Sequence, residues 1–137
     1  MNIMPISESQ LSDWLALRSL LWPDHDDAHL LEMHQLLKQT DTLQLLAYTD
    51  SQQAIAMLEA SIRHEYVNGT QTSPVAFLEG IYVLPEYRRS GIATQLVQYV
   101  EEWAKQFACT EFASDAAIDN TISHAMHRAL GFHETER

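Results

Sequence analysis

The chain has 137 residues, 46% of them hydrophobic, and carries 8 basic against 19 acidic side chains, a formal net charge of −11. This size fits a single domain, residues 1–137, and no apolar stretch is long enough to cross a membrane. The acidic balance excludes nucleic acid as an expected partner, because phosphate binding needs a basic surface, and it suits a cationic ligand. No signal peptide is recognisable and Cys109 is the only cysteine, so we expect a cytoplasmic location.

Hydrophobic periodicity and turn residues divide the first half of the chain into five elements. Pro23 ends the first helix, because proline cannot donate the hydrogen bond that a helix interior needs. Asn68-Gly69 begins a loop after the last strand of this half. The predicted elements are a strand at 2–6, a helix from Ser7 or Ser9 to about Leu21, a helix at 26–39, and strands at 42–49 and 54–66.

The second half begins with an apolar run, 75–83, that is typical of a buried strand. A helix follows from Ile92 to about Ala108, with apolar residues at helical spacing. The remaining predicted elements are a strand at 111–115, a helix at 120–130 that Gly131 ends, and a strand beginning at Phe132. Strands and helices in this order predict a single α/β or α+β domain.

The turn between strand 75–83 and the following helix has the sequence Arg88-Arg89-Ser90-Gly91-Ile92-Ala93. The first N–H groups of a helix lack internal partners and carry partial positive charge, so they attract phosphate. Gly91 lets phosphate oxygens approach the main chain, and the two arginines add charged donors. The turn therefore predicts a phosphate site; the alternative is a solvated loop whose glycine only ends the strand.

The spacing Arg88-x-x-Gly91-x-Ala93 after a strand resembles the acetyl-coenzyme A signature of the GNAT acetyltransferase superfamily. The order of elements also resembles the GNAT fold over essentially the whole chain. The resemblance implies a mixed, mostly antiparallel sheet flanked by helices, with acetyl-CoA as co-substrate. That family normally ends with one more strand beyond the position of Arg137, so we expect the C-terminal strand to be missing.

Glu79 lies within the apolar segment 76–83, where a carboxylate is costly unless it is paired or faces a cleft. Gly80 favours the cleft, because a glycine within a strand often marks a bulge or a close ligand approach. The alternative is a solvated face. Asp115 ends the next strand, at the carboxyl edge where open sheets bind ligands; its alternative role is to cap the following helix.

The superfamily resemblance implies that strand 81–83 pairs through its backbone with the pantetheine arm and the acetyl carbonyl, and that Asn120 lies near that arm. Many members place a tyrosine as general acid four residues before the glycine of their second motif. His127 stands there in this chain, which leaves the acid unassigned. The expected cofactor-binding residues are Ile81, Tyr82, Val83, Arg88, Arg89, Ser90, Gly91, Ile92, Ala93, Thr94 and Asn120.

Four segments together resemble the bacterial aminoglycoside 6'-N-acetyltransferases, enzymes that inactivate antibiotics: 22–25, 78–83, 113–116 and 130–137. The resemblance implies acetyl transfer from acetyl-CoA to the 6'-amino group of an aminoglycoside. Because only the free amine has a lone pair, a base must remove a proton first, and Asp115 or Glu79, acting through water, is the candidate. The resemblance also implies that the chain forms a homodimer. Carboxylates suit such a polycation, and aromatic rings stack on it. The expected substrate-binding residues are Trp22, His25, Tyr66, Glu79, Asp115 and Glu136.

Two other functions remain open at this stage. One is a GNAT enzyme for another small amine, such as a polyamine or a peptide N-terminus, since an acidic cleft serves these as well. The other is a non-catalytic coenzyme A-binding sensor, which the histidine at position 127 favours. His25 and His29 have the helical spacing of two metal ligands, but no third ligand follows at a suitable spacing, so we expect no metal.

Overall fold

The structure, a computed structural model, describes residues 1–64 and 74–114. This part of the chain forms a five-stranded sheet in the order β1-β2-β3-β4-β5. Pairs β1–β2, β2–β3 and β3–β4 are antiparallel and β4–β5 is parallel, which confirms the predicted mixed, mostly antiparallel sheet. The elements are β1 (Asn2–Pro5), α1 (Leu11–Leu21), α2 (Asp26–Leu37), β2 (Thr42–Tyr48), β3 (Ala54–Arg63), β4 (Val75–Val83), α3 (Ile92–Ala104) and β5 (Phe112–Ala113).

Short 3-10 turns lie at the ends of the helices and change some of the predicted bounds. Ser7 precedes the turn Glu8–Gln10, and its backbone N–H donates to Gln10 Oε1 at 2.9 Å, so this serine starts the first helical segment. The helix predicted to reach Ala108 ends at Ala104 and continues as a 3-10 turn, Lys105–Phe107. Ala108 then adopts a left-handed φ of 60°, which ends helical structure.

The two faces of the sheet carry different helices. Helix α3 buries Leu96 and Val100 against a face that includes Leu45 and Leu58. The opposite face packs under α1 and α2, whose largest fully buried side chain is Trp14. Over residues 1–64 and 74–114, no helix combines the length and apolarity that a membrane span requires.

A β-bulge in β4 decides which side chains reach the α1–α2 face. Glu59 of β3 pairs with Gly80 and Ala60 pairs with Leu78, so Glu79 is an extra residue in the strand. The bulge that Gly80 predicted is therefore confirmed. Two residues opposite one reset the alternation of the strand, so Leu78 packs in the α3-side core while Gly80 abuts side chains of α1.

Three predicted features lie outside the described residues. They are the loop that Asn68-Gly69 begins, the helix at 120–130 with its terminal Gly131, and the strand from Phe132 together with the expectation of a missing C-terminal strand. Strands β3 and β5 are shorter in the described chain than the sequence predicted. β3 ends at Arg63 and β5 covers two residues, although the Glu111 carbonyl still accepts a hydrogen bond from Ala76 N–H at 3.1 Å.

Candidate functional site

A cleft of about 350 Å³ opens between helices α1 and α2 and the face of the sheet below them. Among the described residues, its lining contains the carboxylates of Glu32, Glu59 and Glu79 and one guanidinium, that of Arg18. An excess of carboxylates in a concave surface concentrates cations. The other lining residues are Trp22, Leu36, Gln39, Thr42, Gln44, Ala60 and Ser61.

Glu79 lies at the open part of this cleft, where the bulge of β4 presents it. Ser61 Oγ donates to Glu79 Oε2 at 2.5 Å, and Arg63 Nη2 donates to both carboxylate oxygens at 3.1 Å. The side chains of Glu79 and Arg63 are 34% and 39% exposed. An ionised carboxylate accepts about four hydrogen bonds, and the described part of the chain supplies three of them to Glu79.

A second ion pair lies deeper and is almost closed to solvent. Arg18 and Glu59 are each 4% exposed, and Arg18 Nε donates to Glu59 Oε2 at 2.7 Å. Trp14 Nε1 donates to the same oxygen at 2.9 Å. Arg18 Nη1 contacts His29 Nδ1 at 2.9 Å, and Nη2 donates to Glu32 Oε1 at 2.5 Å. One guanidinium thus joins α1, α2 and β3.

The electrostatic balance around Arg18 favours its charged form. Burial by itself lowers the pKa of a guanidinium. The hydrogen bonds and negative charges of Glu59, and after it Glu32, outweigh that effect and raise the pKa of Arg18. Arg18 therefore keeps its positive charge beneath the cleft, directly beside the Glu59 carboxylate.

Sequence reasoning missed this deeper pair, although a signal for it exists. Arg18 shares the apolar face of α1 with the buried Trp14 and Leu17. Glu59 stands in an apolar strand, as Glu79 does. The argument that singled out Glu79, a carboxylate too costly to bury alone, applies equally to Glu59 and calls for an arginine partner.

Three of the predicted substrate-binding residues lie in the described part of the chain, and the structure brings two of them together. Trp22 and Glu79 both line the cleft. His25 is exposed at the residue before α2 and is not among the lining residues. Tyr66, Asp115 and Glu136 lie outside the described residues, as do Asn120 and His127.

The histidine pair at positions 25 and 29 is divided by the fold. His29 is 3% exposed and its Nδ1 contacts the Arg18 guanidinium, whereas His25 faces solvent. Among the described residues no group of three or more histidine, cysteine or acidic side chains is placed to hold a metal ion. Cys109 is buried, and burial raises the pKa of its thiol, which is typical of a structural cysteine.

The predicted phosphate turn leads through a left-handed glycine into the N-terminus of α3. Gly91 precedes α3 with a left-handed φ of 87°, a conformation that favours glycine. Gln95 N–H makes a helical bond back to the Gly91 carbonyl at 3.1 Å, so the N–H groups of 92–94 precede the first such bond. Within the described residues no side chain caps this end of the helix. These N–H groups are placed to receive an anion.

The two arginines of the turn have different surroundings. Arg88 Nε donates to the Val83 carbonyl at 2.8 Å, and its guanidinium carbon lies 5.4 Å from the Tyr82 ring centroid, which ties the turn to the end of β4. Ser90 Oγ donates to the Tyr87 carbonyl. Arg89 is exposed and adopts a φ of 64°. Arg88 therefore shapes the turn, and Arg89 remains available to an anion.

Strand β5 does not pair with the last residues of β4 in the described chain. In the described part of the chain, β4 pairs with β5 only at Ala76 and Phe77. Leu84 N–H donates to the Ile55 carbonyl on the β3 side at 2.9 Å. Because successive N–H groups of a strand point to opposite sides, those of Ile81 and Val83 face away from β3. This edge leads directly to the phosphate turn.

Comparison with known proteins places these features in a family. The model of the acetyltransferase (GNAT) family matches residues 14–132. The chain belongs to the GNAT acetyltransferase family. Its sequence is 86% identical over 137 residues to an aminoglycoside N(6')-acetyltransferase type 1 of Acinetobacter baumannii, covering 100% of this chain and 94% of that protein.

Two solved GNAT structures extend the comparison. The crystal structure of the aminoglycoside 6'-N-acetyltransferase AAC(6')-Ih from Acinetobacter baumannii superposes with a TM-score of 0.87 at 86% identity, covering 99% of this chain and 92% of that chain. AAC(6')-Iy in complex with the bisubstrate analogue CoA-S-monomethyl-acetylneamine superposes with a TM-score of 0.86 at 47% identity, covering 99% and 92%. The predicted GNAT fold is thereby confirmed.

Proposed function

We propose that this chain transfers the acetyl group of acetyl-CoA to the 6'-amino group of aminoglycoside antibiotics and so confers resistance to them. The observation that carries the proposal is the 86% identity, along the whole chain, to an aminoglycoside N(6')-acetyltransferase. The cleft between α1, α2 and the sheet supports it, because carboxylates outnumber cations among the described residues that line it and an aminoglycoside is a polycation.

The acceptor enters the cleft and is held by charge and by stacking. Glu79 binds an ammonium group through the acceptor capacity that Ser61 and Arg63 leave. Trp22, which lines the same cleft, stacks against a sugar ring or a cation. His25, Tyr66, Asp115 and Glu136 complete the acceptor site.

Acetyl-CoA lies along the edge of β4 that faces away from β3 and ends at the phosphate turn. The N–H groups of residues 92–94, with Arg89, hold the pyrophosphate, while Asn120 and the β4 edge hold the pantetheine arm. The fit rests on the uncapped start of α3 and on open space beside Gly91, where a Cβ would meet no atom within 4 Å.

The acetyl group passes directly to the amine in a ternary complex. Asp115 or Glu79, through water, removes a proton from the 6'-ammonium so that a lone pair becomes available. The amine attacks the thioester carbonyl, and a backbone N–H of residues 81–83 stabilises the resulting oxyanion. The intermediate then loses the second proton of its nitrogen and releases coenzyme A as its thiolate, so that a neutral amide remains and the thiolate takes up one proton to become the thiol. His127 holds the position of the acid that protonates this thiolate in many relatives.

A substrate panel with thiol detection tests the proposal. Purified chain and acetyl-CoA are incubated with kanamycin, with spermidine or with a peptide bearing a free N-terminus. We expect coenzyme A release with kanamycin and acetylation at its 6'-amino group by mass spectrometry and NMR. Release with spermidine alone would assign another amine, and release with none of them, alongside heat on titrating acetyl-CoA, would assign a sensor.

Gly91→Ala tests the coenzyme side alone. The open space around Gly91 accepts a methyl group, but a left-handed alanine costs roughly 1–2 kcal/mol. We expect the KM for acetyl-CoA to rise about tenfold, equivalent to about 1.4 kcal/mol, while the KM for kanamycin is unchanged. Ser51→Ala, in the β2–β3 turn, is the matched control. An unchanged acetyl-CoA KM in Gly91→Ala would remove this turn from the coenzyme site.

Two finer proposals are a homodimer, which rests on the likeness to aminoglycoside acetyltransferases, and a cytoplasmic location, which rests on cysteine usage, Cys109 being the one cysteine of the sequence. Light scattering coupled to gel filtration measures the first, and twice the chain mass of 15.6 kDa is the expected result. Fractionation of cells that express the untagged chain measures the second. A monomer mass or recovery in the membrane fraction would reject the respective proposal.

A further inference from the structure

The indole of Trp22 has two unusual neighbours in the wall of the cleft. A Cβ built on Gly80 would collide with the indole atoms Cζ2 and Cη2, so the ring edge lies directly against the glycine backbone. The guanidinium carbon of Arg18 lies over the same ring, 5.0 Å from its centroid. Gly80 is not among the residues with positive φ in the described chain, so its backbone conformation does not itself require glycine. The requirement for glycine at this position comes from the space that the Trp22 indole occupies.

The bulge in β4 creates this contact and links it to Glu79. Because Glu79 is the extra residue of the bulge, Gly80 turns towards α1 directly after the carboxylate turns into the cleft. The position of the indole edge and the position of the carboxylate are therefore set by the same two backbone units. Arg18 cannot yield to a displaced ring, since Glu59, His29 and Glu32 already engage its donors.

We propose that Gly80 is a positioning residue for the acceptor: its missing side chain seats the Trp22 indole against the β4 bulge and so fixes the width of the cleft beside Glu79. The inference rests on the proposed function, in which Trp22 and Glu79 hold the amine substrate. A side chain at position 80 moves the indole into the cleft or out of its wall, and in either case the acceptor loses its stacking surface. Acetyl-CoA, on the opposite edge of β4, is unaffected.

Gly80→Ala tests the proposal by comparing its effect on the KM for kanamycin with its effect on the KM for acetyl-CoA. We expect the kanamycin KM to rise about tenfold, the scale of an overpacked contact, with the acetyl-CoA KM within about twofold of the wild type. A loss of stability alone would lower the active fraction and leave both KM values unchanged. An equal rise in both KM values, or no rise in either, would overturn the proposal.

A double-mutant cycle isolates the indole as the cause. Phenylalanine lacks the Cζ2 and Cη2 atoms that meet position 80, so Gly80→Ala in a Trp22→Phe background should change the kanamycin KM by less than about twofold. Leu21 is the matched control, because its Cδ2 would lie 2.9 Å from the same Cβ. We expect Leu21→Ala/Gly80→Ala to remain impaired. Rescue by Leu21→Ala instead of Trp22→Phe would overturn the assignment.

The same cycle covers a failure to fold. If Gly80→Ala alone is recovered unfolded, Trp22→Phe/Gly80→Ala should fold and acetylate kanamycin as Trp22→Phe does. A double variant that also fails to fold would show that Gly80 serves a purpose unrelated to the indole, and would overturn the proposal.

A spectroscopic measurement separates this inference from the proposed function. The chain contains three tryptophans, and 19F NMR of the 5-fluorotryptophan-labelled chain assigns Trp22 by the resonance missing in Trp22→Phe. We expect Gly80→Ala to shift the Trp22 resonance and to leave that of Trp103, on α3, in place. An unmoved Trp22 resonance overturns the inference whatever the activity. A wild-type chain that acetylates no aminoglycoside overturns the proposed function, while the resonance still reports on the indole seat.

Discussion

Two arginine–glutamate pairs meet the same cleft at different depths. Arg18–Glu59 is 4% exposed at both residues and is joined by hydrogen bonds from Trp14 and to Glu32. The side chains of Arg63 and Glu79 are each more than a third exposed. In the described chain, Ser61 is the one other residue that donates a hydrogen bond to Glu79. Neighbouring strands supply the two glutamates, and the bulge separates them.

The difference between the pairs indicates a division of labour. A buried charge pair is costly to break, because its surviving member stays uncompensated. An exposed pair contributes little to stability but keeps its carboxylate oriented and accessible to solvent. The deeper pair therefore sets the form of the cleft floor, and the shallower pair supplies the charge that a ligand meets.

Arg18→Met should have the largest effect on stability. It leaves the Glu59 carboxylate buried and unpaired, and we expect a loss of about 3–5 kcal/mol in the free energy of unfolding, measured in urea. Arg63→Met, the matched change in the shallow pair, should cost about 1 kcal/mol or less. Arg18→Met/Glu59→Gln should recover part of the loss, because glutamine is neutral and still accepts from Trp14 Nε1. Equal losses in the two single variants would contradict the comparison.

Glu79→Gln changes the shallow pair, and we expect it to affect activity strongly although it affects stability little. Loss of the carboxylate removes an ammonium partner, and we expect kcat/KM for kanamycin to fall about tenfold, equivalent to about 1.4 kcal/mol. The dependence of that constant on NaCl should also weaken, because one screened charge pair is lost. Stability should change by less than about 0.5 kcal/mol. Glu102→Gln, an exposed glutamate on α3, is the control, and an equal fall there would show a general charge effect.

The comparison also shows how far the sequence leads. Periodicity located the helices and strands of the described chain because apolar side chains at 92, 96 and 100 must share one face of a helix. Glu79 was found because an acidic residue beside a glycine is conspicuous in an apolar strand. The deeper pair was not found, because Arg18 and Glu59 are 41 residues apart and only the packing of α1 on β3 joins them.

Helix and strand ends were the other source of error. The predicted helix through Ala108 overlooked the tightening into a 3-10 turn and the left-handed φ of that alanine, which no apolar pattern encodes. Gly91 was singled out for the close approach that it allows, and the structure adds a left-handed φ at that position, while phosphate binding at this turn stays a prediction. The role of Arg88 was not predicted, since its bond to the Val83 carbonyl depends on how the turn folds back on β4.

Glu32→Gln tests a residue that lies between the two depths. Its side chain is 60% exposed, yet it bonds the buried Arg18 guanidinium at 2.5 Å. Solvent screens most of this interaction, so we expect a stability loss of about 1 kcal/mol or less in urea unfolding. The kanamycin KM should rise about twofold to threefold, because the cleft loses one of its carboxylates. A loss in unfolding free energy as large as that of Arg18→Met would show that Glu32 belongs energetically with the buried Arg18–Glu59 pair.

Tyr48→Phe should have the smallest effect, a change in how steeply stability falls with pH in alkaline solution. Burial first, and then the hydrogen bond from Tyr48 Oη to Asp13 Oδ2 at 2.6 Å, raise the pKa of Tyr48 to about 12. A pKa above the unfolded value of about 10 means that the neutral form stabilises the fold below pH 10 and that this stability is lost as the pH rises through 12. Unfolding free energies measured from pH 9 to 12 should therefore fall less steeply in Tyr48→Phe than in the wild type. Tyr99→Phe, on α3, is the control, and parallel slopes for Tyr48→Phe and the wild type would contradict the hydrogen bond from the neutral Tyr48 hydroxyl to Asp13.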